Sequence, residues 1–135
     1  MDSKHSKCKL TVAVLDDEPI VRRSLVRFLN VAGIQTKEFS SPFSFLEGCL
    51  HACPDCAILD LHMPMLSGIE VLERLRSYNL GLPVIVLTAN DDDDVRFKCK
   101  ALGVGCFLSK PVDGHMLLTA IDCVTSRATQ VTSTG

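Results

Sequence analysis

No stretch of this 135-residue sequence approaches the ~20 consecutive apolar residues that a membrane-spanning helix needs. The apolar run Leu10–Leu15 is too short for a secretion signal, and Met1 to Lys9 ahead of it is polar and lysine-bearing. An excess of charge of one sign is also lacking. The net charge is −2 and the isoelectric point is near 6.0, which excludes a basic arm for nucleic acid or a basic face for membranes. There is no internal repeat and no internal linker. Paired cysteine is not expected either: seven cysteines form an odd set, and without a signal sequence they read as reduced thiols. Inside apolar runs such thiols act as small buried hydrophobes. These absences lead to the expectation of a cytoplasmic protein with no membrane contact and no direct nucleic-acid binding. What is present is an ordinary globular balance of 47% apolar and 22% charged residues. That suits one compact domain able to bury roughly two-thirds of its unfolded surface.

The main fold signal is an alternation of apolar runs with helical patterns. Leu10–Leu15, Cys56–Leu61, Pro83–Thr88 and Val104–Leu108 are near-continuous apolar runs, as in parallel strands covered on both faces. Ile34–Phe39 is interrupted by Gln35, Lys37 and Glu38, as an edge strand would be. Between the runs, Ile20, Val21, Ser24, Leu25, Phe28 and Leu29 share one helical face, with Arg22, Arg23 and Arg27 opposite. Ser41-Pro42 reads as a cap followed by proline at the first helical position. Ile69, Leu72 and Leu75 mark a third helix. Val95, Cys99 and Leu102, closed by Gly103, mark a fourth, and Met116, Leu117, Ala120, Ile121 and Val124 a fifth. Five strands and five helices in alternation, joined by right-handed crossovers, give a doubly wound α/β fold with an open parallel sheet. The domain is expected over 9–126, with a flexible N-terminus at 1–8 and a flexible tail or truncated linker at 127–135.

In such a sheet ligands bind at the carboxyl ends of the strands. The first strand ends in Asp16-Asp17-Glu18, the third in Asp60, the fourth in Thr88, and the fifth runs into Ser109-Lys110-Pro111. Clustered carboxylates repel each other, and a hard divalent cation relieves the repulsion. Magnesium typically takes one or two protein carboxylates and bridges to phosphate oxygens. Beside it Asp60 can act as an oxygen nucleophile toward a phosphoryl group, with Lys110 and Thr88 neutralising or hydrogen-bonding its oxygens. Singly, each residue also has a structural reading: Asp17 as a helix cap, Asp60 as a strand end, Lys110 as a solvated loop charge. Their convergence favours the chemical reading.

The stretches Val14-Leu15-Asp16-Asp17-Glu18-Pro19, Leu59-Asp60-Leu61-His62-Met63-Pro64 with Ser67-Gly68, Val86-Leu87-Thr88-Ala89 and Leu108-Ser109-Lys110-Pro111 resemble those of the receiver domains of two-component response regulators. The resemblance covers about residues 8 to 126. It implies a flavodoxin-like sheet of order 2-1-3-4-5 with five helices. It implies Asp60 as phosphoacceptor, and magnesium bound by Asp16, Asp17, Asp60 and the backbone carbonyl of His62. Thr88 and Lys110 would contact the phosphoryl group. Phe107 takes the aromatic switch position, His62 and Asn90 tune phosphoryl lifetime, and Lys110-Pro111 matches a peptide bond that is usually cis. A histidine kinase would be the phosphodonor, and the face made by the fourth helix, fifth strand and fifth helix would switch partner binding or dimerisation. A homodimer on phosphorylation and an output domain beyond residue 135 are further expectations. Met65 and Leu66 are more apolar than is common in this family, and can pack onto the third helix or touch a partner.

Weaker signals remain. Cys53-Pro54-Asp55-Cys56 has redox spacing, and Cys49, His51, Cys53 and Cys56 imitate a metal set. The motif follows a helix and enters a strand, the wrong context for a thioredoxin-like site. Asp91 to Asp94 lacks the spaced ligands of a calcium loop and reads as a helix start. An alternative function, a haloacid-dehalogenase-like phosphatase, would want an aspartate two residues after the nucleophile, where this chain has His62. A phosphorylation-independent pseudo-receiver is the other alternative. The favoured expectation is a signalling phosphoacceptor, with no enzyme activity beyond slow self-catalysed phosphorylation and dephosphorylation.

Overall fold

The computed structural model describes residues 9–63 and 65–134, with side chains to residue 126. The expected flexible segment at 1–8, Pro64, and the side chains of the expected tail at 127–135 lie outside the described residues. The strands are β1 (Thr11–Leu15), β2 (Gln35–Phe39), β3 (Cys56–Asp60), β4 (Val84–Thr88) and β5 (Cys106–Ser109). The helices are α1 (Pro19–Val31), α2 (Pro42–His51), α3 (Gly68–Tyr78), α4 (Asp93–Ala101) and α5 (Gly114–Thr134). All strand pairs are parallel, in the order β2-β1-β3-β4-β5. This is the doubly wound sheet expected.

Period-two alternation within each strand divides the core between the two faces. Ala13, Leu15, Ala57, Leu59, Val84 and Val86 are buried with residues of α2, α3 and α4. Val12, Val14, Cys56, Ile58, Ile85 and Leu87 are buried with residues of α1 and α5. β1, β3 and β4 are therefore covered on both sides, which is why their sequences read as continuous apolar runs. β2 and β5 are the edges, and β5 is only half-buried.

Local chemistry sets the element ends. The Ser41 hydroxyl accepts from the Phe43 and Ser44 amides, and Pro42 opens α2. Ser67 and Glu70 form a reciprocal capping box at α3. At α4 the Asp92 side chain accepts from the Val95 amide, with Asp93 and Asp94 in the first turn. Most of the aspartate run is thus a helix start.

Several details differ from the sequence reading. β5 begins at Cys106 rather than Val104, because the Val104 amide closes α4 on the Cys99 carbonyl. Ile20 and Met116, expected on buried helical faces, are 82% and 50% exposed. Arg22, expected on the solvent side of α1, is half-buried and reaches Glu38 and the Asp16 carbonyl.

Candidate functional site

β1 and β3 are neighbours in register, Leu15 beside Leu59, so the residues that follow them emerge side by side at the carboxyl edge. Asp16, Asp17 and Asp60 each place a carboxylate oxygen there, all within 4.8 Å of one another. Among the described residues this is the one group of acidic, histidine or cysteine side chains that could hold a metal ion.

Asp16 and Asp60 are fixed by their backbone settings. The Asp16 amide donates to the Phe39 carbonyl (3.3 Å), and Asp16 Oδ1 accepts from the Glu18 amide (2.9 Å). Arg22 donates to the Asp16 carbonyl at 2.8 Å, and its own guanidinium is paired with Glu38 at 3.1 Å. Glu18, not Asp17, is the residue at the N-cap of α1, and it makes no side-chain cap. That leaves the half-buried Asp17 without a capping role. Asp60 ends β3 almost fully buried, its Oδ1 accepting from the His62 amide at 3.2 Å.

The turn after Asp60 is held from below. A Cβ on Gly68 would lie 2.6 Å from the Leu61 Cα, so only glycine lets α3 start this close to the strand end. The Gly68 amide donates to the Leu61 carbonyl at 3.0 Å. Within that turn Leu66 is buried while Met65 is 66% exposed, so one of the two unusually apolar residues packs inward and the other faces out.

Lys110 closes the site from β5. Its Nζ stands 3.6 Å from Asp16 Oδ2 and 3.7 Å from Asp60 Oδ1. The Lys110 amide donates to the Thr88 carbonyl at 2.8 Å, and the Lys110–Pro111 peptide is cis. Burial pushes the Asp60 carboxyl above the usual aspartate range; the His62 amide and Lys110 pull it down, and Asp16 and Asp17 push it further up. Three clustered carboxylates, two of them beside the one ammonium, leave an excess of negative charge at this edge. An all-oxygen donor set with that charge fits a hard divalent cation.

Thr88 is fully buried, and its Oγ1 accepts from the Asn90 amide at 3.0 Å. Asn90 and His62 are exposed on the two turns that follow β4 and β3. Phe107 is half-buried in β5, with the Arg96 guanidinium 4.5 Å above its ring. Arg96 is also paired with Asp91, which accepts from the Ser109 hydroxyl at 2.6 Å. Neither contact is legible in the sequence, where Asp91 reads as part of the helix start.

Comparison with known proteins identifies the family. The response regulator receiver domain family matches residues 12–122. The chain belongs to that family. It is 31% identical over 121 residues to the transcriptional regulatory protein FixJ of Azorhizobium caulinodans, spanning 90% of this chain and 57% of that protein. A crystal structure of FixJ-N superposes with a TM-score of 0.82 at 30% identity, covering 87% of this chain and 94% of that one. Full-length FixJ from B. japonicum gives 0.81 at 30% identity, with 89% of this chain and 59% of that chain covered. This receiver domain thus spans about half the length of the curated relatives it matches. No helix among the described residues is long and apolar enough to cross a membrane.

Proposed function

We propose that this receiver domain takes a phosphoryl group on Asp60 from a histidine kinase and thereby changes the binding properties of its α4–β5–α5 face. The observation that carries the reading is the convergence of Asp16, Asp17 and Lys110 on the buried Asp60 carboxylate. An Asp60 oxygen forms a bond to phosphorus as the phosphorus–nitrogen bond of a phosphohistidine breaks. The imidazole leaves with the bonding pair and takes up a proton. Little covalent work falls to the protein, so positioning and charge neutralisation carry the rate.

Magnesium held by Asp16, Asp17, Asp60 and the His62 backbone carbonyl would neutralise phosphoryl oxygens. The rest falls to this chain's own groups. Lys110 supplies a fixed ammonium beside Asp60. Thr88 turns its hydroxyl from Asn90 to a phosphoryl oxygen, and Phe107 follows inward. Exposed His62 and Asn90 flank the approach of hydrolytic water and set the lifetime of the phosphoryl group. The switch is a population shift, since phosphorylation favours the state in which those contacts form.

The partners follow from the same reading: a sensor histidine kinase, a second copy of the chain after phosphorylation, and an output domain beyond residue 135. The FixJ relatives, named as transcriptional regulators and about twice as long as the stretch they share with this chain, support an output domain. The protein would act in the cytoplasm. Incubation with a small-molecule phosphodonor and magnesium should add one phosphoryl group by intact mass, and Asp60→Asn should abolish it. Equal labelling of that variant would refute the assignment.

A further inference from the structure

The turn after β4 contains a cluster that the phosphorylation chemistry does not use. Asp91 faces Arg96 through two contacts, Nε to Oδ1 at 3.3 Å and Nη2 to Oδ2 at 2.7 Å. The same Oδ2 accepts from the Ser109 hydroxyl at 2.6 Å. Held in this fork, the Arg96 guanidinium lies 4.5 Å from the centre of the Phe107 ring, within the range of a cation–π contact. A planar guanidinium can pair edge-on with a carboxylate and stack on a ring at once, which an ammonium cannot do.

Asp91 therefore joins three elements: the turn after Thr88, the start of α4, and β5. It does not place Lys110. The register of Thr88 with Ser109 and the Lys110-to-Thr88 backbone bond already do that. What Asp91 adds is the position of Arg96 over Phe107. Thr88 is tied to this group through one residue, since its Oγ1 accepts from the amide of Asn90, next to Asp91.

We propose that Asp91 is a positioning residue that latches Arg96 over Phe107 and so biases the receiver toward its unphosphorylated arrangement. The inference rests on the function proposed above, and deepens it by naming what opposes the switch. When Thr88 releases Asn90 to reach a phosphoryl oxygen, the turn carrying Asp91 moves, Ser109 and Arg96 lose their common acceptor, and the Phe107 ring is freed to turn further inward from its half-buried position. The latch is exposed to solvent, so its effect is that of a well-formed surface pair. Removing it should raise the ratio of inward to outward Phe107 by about 1.5- to fivefold.

The test uses the full chain, labelled at phenylalanine for NMR, as wild type and as Asp91→Ala, Arg96→Ala and Ser109→Ala. In the unphosphorylated wild type, the Arg96 side-chain protons should carry the upfield shift of a group over a ring. Asp91→Ala should remove it. The Phe107 signals of Asp91→Ala and Arg96→Ala should move part of the way to their positions in wild type treated with a phosphodonor and magnesium. Ser109→Ala should give a smaller move in the same direction. Unchanged melting temperatures would separate this bias from general loosening. If wild type is labelled on Asp60 yet the Phe107 signals of Asp91→Ala and Arg96→Ala stay at the unphosphorylated wild-type positions, the latch is disproved and the function stands. If wild type takes up no phosphoryl group, the function reading fails and the latch falls with it.

Discussion

The Lys110 ammonium nitrogen stands 3.7 Å from Asp60 Oδ1, at the end of a different strand and fifty residues further along the chain. It is the positive charge that lowers the Asp60 carboxyl pKa against burial. Lys110→Ala should raise that pKa further and slow phosphoryl uptake from a small-molecule donor by roughly a hundredfold, as when one charge-stabilising donor is lost. Carboxyl titration by NMR and the initial labelling rate measure the two effects, and a variant labelled at the wild-type rate would remove Lys110 from the chemistry.

The raised Asp60 pKa has a defined sign in stability. The folded chain keeps this proton to higher pH than the unfolded chain does. Its contribution is therefore fully favourable below the ordinary aspartate value and is lost as pH rises through the raised folded value. Asp60→Asn lacks this loss and should exceed wild type in stability at neutral pH. The gap between the two should widen with rising pH across that window and then level off. Urea melts of both proteins at several pH values test this; a constant gap would mean that burial does not dominate Asp60.

Magnesium should offset the same repulsion. Binding only to the folded state stabilises by about 2.7 kcal/mol at a hundredfold excess over Kd. Thermal melts should show such an increment in wild type and a much smaller one in Asp16→Asn and Asp17→Asn, each of which lacks one donor of the cluster. The same increment in all three proteins would mean that the ion binds elsewhere.

Gly68→Ala should cost about 1–3 kcal/mol by forcing a Cβ against the Leu61 backbone. Because that turn follows Asp60 directly, the His62 amide should also shift in an NMR spectrum. An alanine variant as stable as wild type, with His62 unmoved, would show that the close approach is not needed.

The thiols should divide by burial. Burial, with Cys53 adding, pushes Cys49 up to about 12, and burial, with Asp55 adding, does the same for Cys56. Cys53 and Cys123 are exposed, although partial burial, with Asp55 adding, also raises the Cys53 thiol and should make it the slower of the two. A thiol reagent near pH 8 should label Cys53 and Cys123 in the native protein, and Cys49 and Cys56 only after unfolding. Rapid native labelling of Cys56 would reopen the redox reading of the Cys53-to-Cys56 spacing.

Sequence disclosed the sheet because its three central strands are buried on both faces and so carry unbroken apolar runs. It disclosed the acidic cluster because strand ends can be read once strands are known. It misplaced the start of β5, since whether Val104 donates to a strand or to the end of α4 is decided in three dimensions. Arg22 gave no sign that it would fold back to the Asp16 carbonyl, because its helical position alone points it outward. Asp91 was hidden for a similar reason: its partner Ser109 is eighteen residues away and meets it only because β4 and β5 are paired.

The division of the core by the sheet bears on how such a domain can switch without coming apart. Phe107 packs with the layer of α2, α3 and α4, while its neighbours Cys106 and Leu108 pack with the layer of α1 and α5. A rotation of that one ring disturbs a single layer. The other layer, with Ile58, Ile85 and Leu117 wholly enclosed, does not contain that ring, so under the proposed switch its core can act as a chassis that keeps the strands aligned.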